Sequence, residues 1–496
     1  MRPGGPRRRY HGALGLWLTL TTLPAAAQVS PLSGQTLFYH QAANNYAGNH
    51  LAVDGGAIWT DNILRTAGGS SDTLLLLGLS GDVSGEGGRF DYHLSSNLAL
   101  LKYLSGSFPT RPTGFLDGRA TLKIVPGFFS WIAREAYSQV QINLYTPVTP
   151  ENLVSLNYIT TGPRFTLRPT LRTSVLLDAL YSYLNSSSVS SQFTNLDNHR
   201  YGGNLTIDRA FSEIASLYLK GKYEKVEFKD QVNNHNFSIG TAEGGYKLLD
   251  GRTVFDISGG YSQLRVYDVL GTVEGPGGTR ETLSTEEFEE PVWKLQLSRL
   301  ITPTQRLALT ASQRFIDAAT AFPLSFDQPV PTSAPGQLAS GAASLQRHFG
   351  ADWRIQGRRT SLSISLTKYT THYLVKTAPN ENDYNSKLAN ALLTRQLSPV
   401  LTWDIGVSYS RLNQIGTQIP GLTAQSATEY GAITNLQWQV GAHLGLRFVY
   451  AYSSFGGVAT NQVGVIASWA VIGSQANTPQ AFPVLAPISP ASTMPR

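Results

Sequence analysis

The 496-residue chain contains no cysteine. A disulfide framework and a thiolate metal site are therefore excluded, and the fold must be held by packing or by a complete hydrogen-bond network. Long hydrophobic runs are also missing. Beyond residue 27 the longest notable one is Leu74-Leu75-Leu76-Leu77, far short of the ~18 apolar residues of a membrane helix. A helical membrane protein is excluded on that ground. Charge is scarce too, at 15% Asp, Glu, Lys and Arg, with a formal net charge of +6. Four of the basic residues, Arg2, Arg7, Arg8 and Arg9, lie in a leader; without them 35 basic residues face 33 acidic ones. That near balance argues against a nucleic-acid partner.

The leader reads as an export signal. Its arginines form a positive n-region, Leu14 to Leu23 an apolar core, and Ala25-Ala26-Ala27 a small-residue cleavage site. Arg7-Arg8-Arg9 invites a twin-arginine reading, but an ordinary positive n-region accounts for it. Residues 1–27 are thus expected to be a signal peptide cleaved near Ala27 and 28–50 a short periplasmic lead. The expected barrel covers 51–473, and 474–496 a Pro/Ala-rich tail without periodicity, expected to be disordered.

What the chain has is alternation. In 401–410 Leu401, Trp403, Ile405, Val407 and Tyr409 alternate with Thr402, Asp404, Gly406, Ser408 and Ser410. Period two is a strand with one apolar and one polar face. The pattern recurs at 89–100, 293–298, 361–367 and 444–453. Short turn signals fall near Gly87-Gly88, Pro126-Gly127, Pro169, Ser212, Asp250-Gly251, Pro303, Gly357, Pro399 and Gly441. Between them lie longer polar connections such as 322–340 and 414–426. Nine turns make 18 strands; 51–61 and 461–472 add one at each end. A propeller also repeats every ~40–50 residues, but its blades pack four short strands where these repeats carry two long ones. The expectation is an all-β, transmembrane, up-and-down antiparallel β-barrel of about 18–20 strands (range 16–20). Short periplasmic turns close one end and longer extracellular loops the other.

At 55–103 the pattern becomes more specific. A first strand leads into Trp59-Thr60-Asp61-Asn62-Ile63-Leu64, and a second into Ser84-Gly85-Glu86-Gly87-Gly88-Arg89-Phe90-Asp91-Tyr92. This resembles the outer-membrane β-barrel porins of exopolysaccharide loci, including those that accompany exosortase systems. The resemblance implies a Gram-negative outer-membrane location and a role in polysaccharide export or display. The partners it implies are outer-membrane lipid and lipopolysaccharide, polysaccharide and the export machinery. It carries no catalytic motif. The chain departs from barrels that end on an aromatic residue, because the last strand, through Trp469, is followed by the tail.

If the apolar faces meet lipid, the opposite faces line a lumen. That assigns Asp91, His93, Tyr218, Lys294, Gln296, Arg306, Thr310, Arg314, Asp404, Ser408 and Arg447 to the interior, a mixed polar path suited to a neutral or weakly charged glycan. Trp293, Trp403, Tyr409, Tyr450, Tyr452, Phe455 and Trp469 fall on apolar faces, where a membrane-interface girdle outweighs sugar stacking. Tyr218, on a polar face, is the better stacking candidate. Glu281, Glu286, Glu287, Glu289 and Glu290 read as a solvated acidic loop without the ligand order of a Ca²⁺ site. Eight scattered histidines follow the leader, with no metal or nucleophile motif. The expected function is a channel without covalent chemistry, cofactor or metal. The alternatives are a closed structural or adhesive barrel that retains polysaccharide at the surface, or a barrel-embedded hydrolase.

Overall fold

The computed structural model describes residues 49–188, 190, 193–231, 233–275, 278–317, 319, 340–375, 382–415 and 425–472, with the side chains of 270–283 excepted. The leader, all but the last two residues of the expected lead, the tail and nearly all of 322–340 lie outside these residues.

Twenty strands follow in chain order. They are β1 (His50–Thr60), β2 (Asp72–Gly87), β3 (Phe90–Tyr103), β4 (Arg111–Val125), β5 (Phe129–Gln141), β6 (Leu153–Thr170) and β7 (Thr173–Ser188). Next come β8 (Asn198–Ala210), β9 (Ala215–Phe228), β10 (Phe237–Asp250), β11 (Thr253–Gly275), β12 (Gly278–Thr302), β13 (Gln305–Ile316) and β14 (Ser344–Gln356). The rest are β15 (Thr360–Tyr373), β16 (Tyr384–Ser398), β17 (Leu401–Gln414), β18 (Ser426–Gln439), β19 (Leu444–Phe455) and β20 (Val458–Ile472). One 3₁₀ turn (Pro150–Asn152) precedes β6. Each strand pairs antiparallel with the next, and β20 returns to β1 through Trp59↔Val463 and Ala52↔Ala470. The sheet is therefore a closed transmembrane up-and-down barrel. Closure satisfies every ladder and leaves no edge, the one way a sheet can sit in hydrocarbon.

The nine turns fall where the punctuation residues put them, except that the Pro169 turn is made two residues later, at Leu171-Arg172. Pro169 stays inside β6, next to its last residue, where a missing N–H costs little. The strand that begins at Leu401 is the seventeenth. Two features differ from expectation. The β19–β20 connection, at the loop end, is only Gly456-Gly457, both with positive φ (57° and 87°), as tight as any periplasmic turn. The acidic stretch is not a loop either. It belongs to β12, and β11 and β12, at 23 and 25 residues, form a hairpin far longer than a membrane crossing needs. Cross-strand pairing explains this: Arg265 Nε lies 3.0 Å from Glu287, and Gln263 Nε2 donates to Glu289 at 3.1 Å.

Side-chain alternation runs around the cylinder and shifts parity where β11 bulges between Val266 and Val269. Leu77, Leu219, Val407, Val465 and Trp469 project outward and are exposed, while Leu76, Tyr218, Ser408, Ile466 and Ser468 beside them turn inward and are buried. The exterior is thus apolar through its middle, as a hydrocarbon boundary requires.

Candidate functional site: the barrel interior

The inner wall has two storeys. Near the turns it is polar. Asp91 accepts from Lys123 Nζ at 2.6 Å, and His93 Nε2 lies 3.5 Å from Asp82. On the next strands Asp117 receives Arg134 at 2.9 Å as well as Arg119, and Asp178 receives Arg164 at 2.8 Å. Tyr218 donates to Asp256 at 2.6 Å, and Lys294 Nζ reaches the other oxygen of that carboxylate at 2.8 Å. Gly245, opposite Tyr218 in the ladder, makes room for its ring, since a Cβ there would fall 2.3 Å from the ring carbon. The Lys220 ammonium covers that ring at 4.5 Å from its centre. The stacking face expected of Tyr218 is therefore already occupied.

The other expected lumen residues also project inward. Gln296 and Thr310 face each other across β12 and β13, and Arg306 Nε donates to Ser298 at 2.7 Å. Lys294, Gln296, Arg306 and Thr310 keep partial solvent access, and Arg314 is exposed. Water therefore reaches the wall on this side. Asp404, Ser408 and Arg447 differ: at 2%, 7% and 6% exposure they are covered by neighbours such as Gln437, whose amide lies 3.4 Å from Asp404. A solute in the interior would meet the β9–β15 wall before it met these three.

The upper storey is apolar, and connections fold down onto it. Ile63 and Phe108, from the connections after β1 and β3, join Ile58, Leu76, Leu101, Val449 and Ile466 in one buried cluster. Arg65 follows Ile63 inward and binds Glu429 of β18 at 2.8 Å and Ser453 of β19 at 2.9 Å. Leu144, after β5, packs in one cluster with Tyr384, Leu412 and Ala427, which stand on the far side of the barrel. That connection is tied to itself. The Asn152 amide donates to the carbonyls of Asn143, Thr146 and Pro147, and its oxygen accepts from the Asn143 N–H at 2.8 Å. Beside Leu144, burial pushes the Tyr145 phenol up to about 12. The β13–β14 connection enters as well: Asp317 pairs with Arg200 of β8, Ala319 sits with Leu156, Leu184 and Leu196, and Ala342 with Leu144. These inward residues escaped the sequence reading. Nothing local to a connection marks which of its residues, charged or apolar, will turn inward.

The expected girdle residues Trp293, Trp403, Tyr409, Tyr450, Tyr452 and Trp469 face outward by strand parity. Trp403 donates to Thr434 at 2.7 Å and Tyr450 to Asn461 at 2.9 Å, and the Tyr409 and Tyr430 rings lie 5.4 Å apart. Trp131, Trp353 and Trp438, outward and close to periplasmic turns, extend the belt. Phe455 must be corrected. It has the parity of Ala451 and Ser453, faces inward, and packs against the Leu144–Tyr384 cluster.

At the rim His372 Nδ1 and Asp383 lie 2.9 Å apart, the pairing a hydrolase would need. Among the described residues no hydroxyl hydrogen-bonds to that ring. Asp383 also accepts from the Tyr373 N–H at 2.9 Å, which fastens the connection to the strand end.

No family model and no curated protein matches the chain. Among solved structures the chain is similar to the FrpB iron transporter from Neisseria meningitidis, with 10% identity, a TM-score of 0.46, and coverage of 86% of this chain and 83% of that one. It is also similar to the ferric yersiniabactin uptake receptor FyuA from Yersinia pestis, with 9% identity, a TM-score of 0.38, and coverage of 86% and 81%. The copper transporter OprC gives 9%, 0.42, and the same coverages. These similarities are too low to carry an argument about solute.

Proposed function

We propose that this protein is a Gram-negative outer-membrane channel that passes a polysaccharide, with the inward connections as its gate and no covalent chemistry. A barrel of 20 strands is wider than the 16–18-stranded barrels that leave an aqueous channel, so wall side chains alone do not fill it. What fills the mouth is held by buried charge. The single observation that carries the reading is the Arg200–Asp317 ion pair, which ties the start of the β13–β14 connection to β8, five strands away around the wall, above a water-accessible polar interior. A buried ion pair gains little as a fastening over apolar contacts, but it makes a contact that can be broken and remade. Lipid and lipopolysaccharide would surround the apolar belt, and polysaccharide-export machinery would meet the turn end. Planar-bilayer recording of the purified protein tests this. Discrete openings, more frequent when Asp317 is replaced, are expected; a silent bilayer with both proteins would count against a channel.

One observation favours a second reading, a closed barrel that retains polymer at the surface. The upper storey is sealed by apolar contacts as well as ion pairs. Loss of surface polymer with undiminished secretion in a deletion strain is its signature, whereas polymer trapped in the periplasm supports export.

A further inference from the structure

We infer that Arg314, His348 and Tyr369 form a binding site on the inner wall for a sugar that carries a carboxylate, so that the polymer this barrel handles is acidic. The inference rests on the channel reading for its biology but not for its test. Arg314 is the last inward residue but one of β13, just below the connection that bears Asp317. It is exposed to the interior, and among the described residues no carboxylate and no hydrogen-bond acceptor pairs with it. Its inward neighbours are Gln346, opposite it in the ladder, and His348 and Tyr369 on the next two strands. Several other interior arginines are matched by carboxylates: Arg134 and Arg119 with Asp117, Arg164 with Asp178, Arg200 with Glu224 and Asp317. A guanidinium that faces the interior with no carboxylate among the described residues presents a fork of donors, the complement of a carboxylate.

The second component is a flat surface. The His348 and Tyr369 rings stack at 4.8 Å with an interplanar angle of 25°. Gly350 sets the imidazole in place: a Cβ there would come within 2.6 Å of the Thr310 hydroxyl and 3.2 Å of the His348 ring. The ring therefore lies against the wall over a glycine, with Tyr369 extending the plate. A pyranose has apolar C–H faces and a polar rim, so a ring plate beside a guanidinium suits a uronic acid better than a neutral hexose. The interior thus departs from the neutral path its mixed composition implied.

Titration calorimetry of the detergent-solubilised protein with hexagalacturonate and with maltohexaose tests the site whether or not the barrel conducts. Binding of the acidic oligomer alone is expected. Arg314→Ala should weaken it by about tenfold or more, the loss of a charge-assisted hydrogen-bonded pair, and Tyr369→Ala by less, while Tyr369→Phe keeps the plate and retains affinity. Heat-modifiable gel migration verifies that each variant has closed its barrel; a variant that has not is replaced by Arg314→Gln. Equal affinity for both oligomers, or an acidic affinity indifferent to Arg314, overturns the inference. Conductance with no uronate binding overturns it while leaving the channel intact. Uronate binding without conductance upholds it and removes the channel instead.

Discussion

Arg200, near the loop end of β8, and Asp317, the residue that follows β13, form a buried ion pair although 117 positions separate them. The same guanidinium reaches Glu224 of β9 at 3.1 Å and Asn198 at 2.8 Å, so every edge of its fork is engaged. Strand pairing alone would never bring β8 to β13. Only the inward course of the connection does so. Replacing Asp317 with Ala leaves Arg200 to Glu224 and releases the start of the connection. Breaking a buried pair costs on the order of 3–5 kcal/mol; the retained Glu224 places this variant near the lower bound. Thermal unfolding in detergent should show that loss together with more frequent channel openings. A stability loss with unchanged current would mean that the pair is structural and not part of a gate.

Arg65 and Glu429 make the corresponding tie on the other side of the mouth, 2.8 Å apart and nearly inaccessible to water. Arg65 holds φ at 54°, a left-handed conformation that costs an L-residue roughly 1–2 kcal/mol. Two opposed effects therefore meet at one position, and substitutions separate them. Arg65→Ala loses the ion pair and keeps the strain; Arg65→Gly loses the pair and relieves the strain. The glycine variant should be the more stable of the two by about 1 kcal/mol. Adding Glu429→Ala to either should cost less than its effect alone, because the orphaned carboxylate is removed, with a coupling of about 0.5–3 kcal/mol. Additive losses in the double-mutant cycle would show that the pair does not hold the connection.

Tyr145 predicts a pH dependence. Its phenol is buried with no hydrogen-bond partner among the described residues, and burial raises it from the ordinary 10 to about 12. Above pH ~10 the unfolded chain ionises this phenol first and so binds fewer protons than the folded one, and stability falls as pH rises toward ~12. Tyr145→Phe removes that contribution. The variant should match or exceed the natural protein at neutral pH, since an unsatisfied buried hydroxyl is lost, and it should lose less between pH 10 and 12. Parallel alkaline melting curves would sink the assignment.

Strand order, number and facing were legible in the sequence because a period of two is imposed by the backbone and needs no partner to be read. Glycine and proline punctuation located seven turns and Ser212 an eighth, and the reading missed only where Pro169 was tolerated at the end of β6. Contacts across the barrel were not legible. Nothing near Leu144 says that Leu412 will meet it, and nothing near Asp317 points to Arg200. The proposed interior site was half visible: alternation placed Arg314 inside, but that no carboxylate among the described residues pairs with it, while Arg200 has two, depends on pairings between distant strands. Phe455 was misread for a related reason. It was grouped with Tyr450 and Tyr452 by chemistry, whereas parity puts it with Ser453.

The facing of the wall can itself be tested at two consecutive residues. Leu205 and Asn204 occupy the middle of β8, Leu205 outward and 40% exposed, Asn204 inward and half-buried. An arginine in place of Leu205 would sit in hydrocarbon, at a cost of about 2–4 kcal/mol near the bilayer midplane. An arginine in place of Asn204 would extend into the interior between Lys222 and Asp178, whose opposite charges should hold the cost to about 1 kcal/mol or less. Equilibrium folding into lipid vesicles at graded urea measures both. Equal costs would mean that the apolar exterior does not face lipid, and the transmembrane placement of the barrel would fall with it. A large cost at Leu205 alone fixes which side of every strand meets the membrane, because the parity of one strand sets that of all its neighbours through the register.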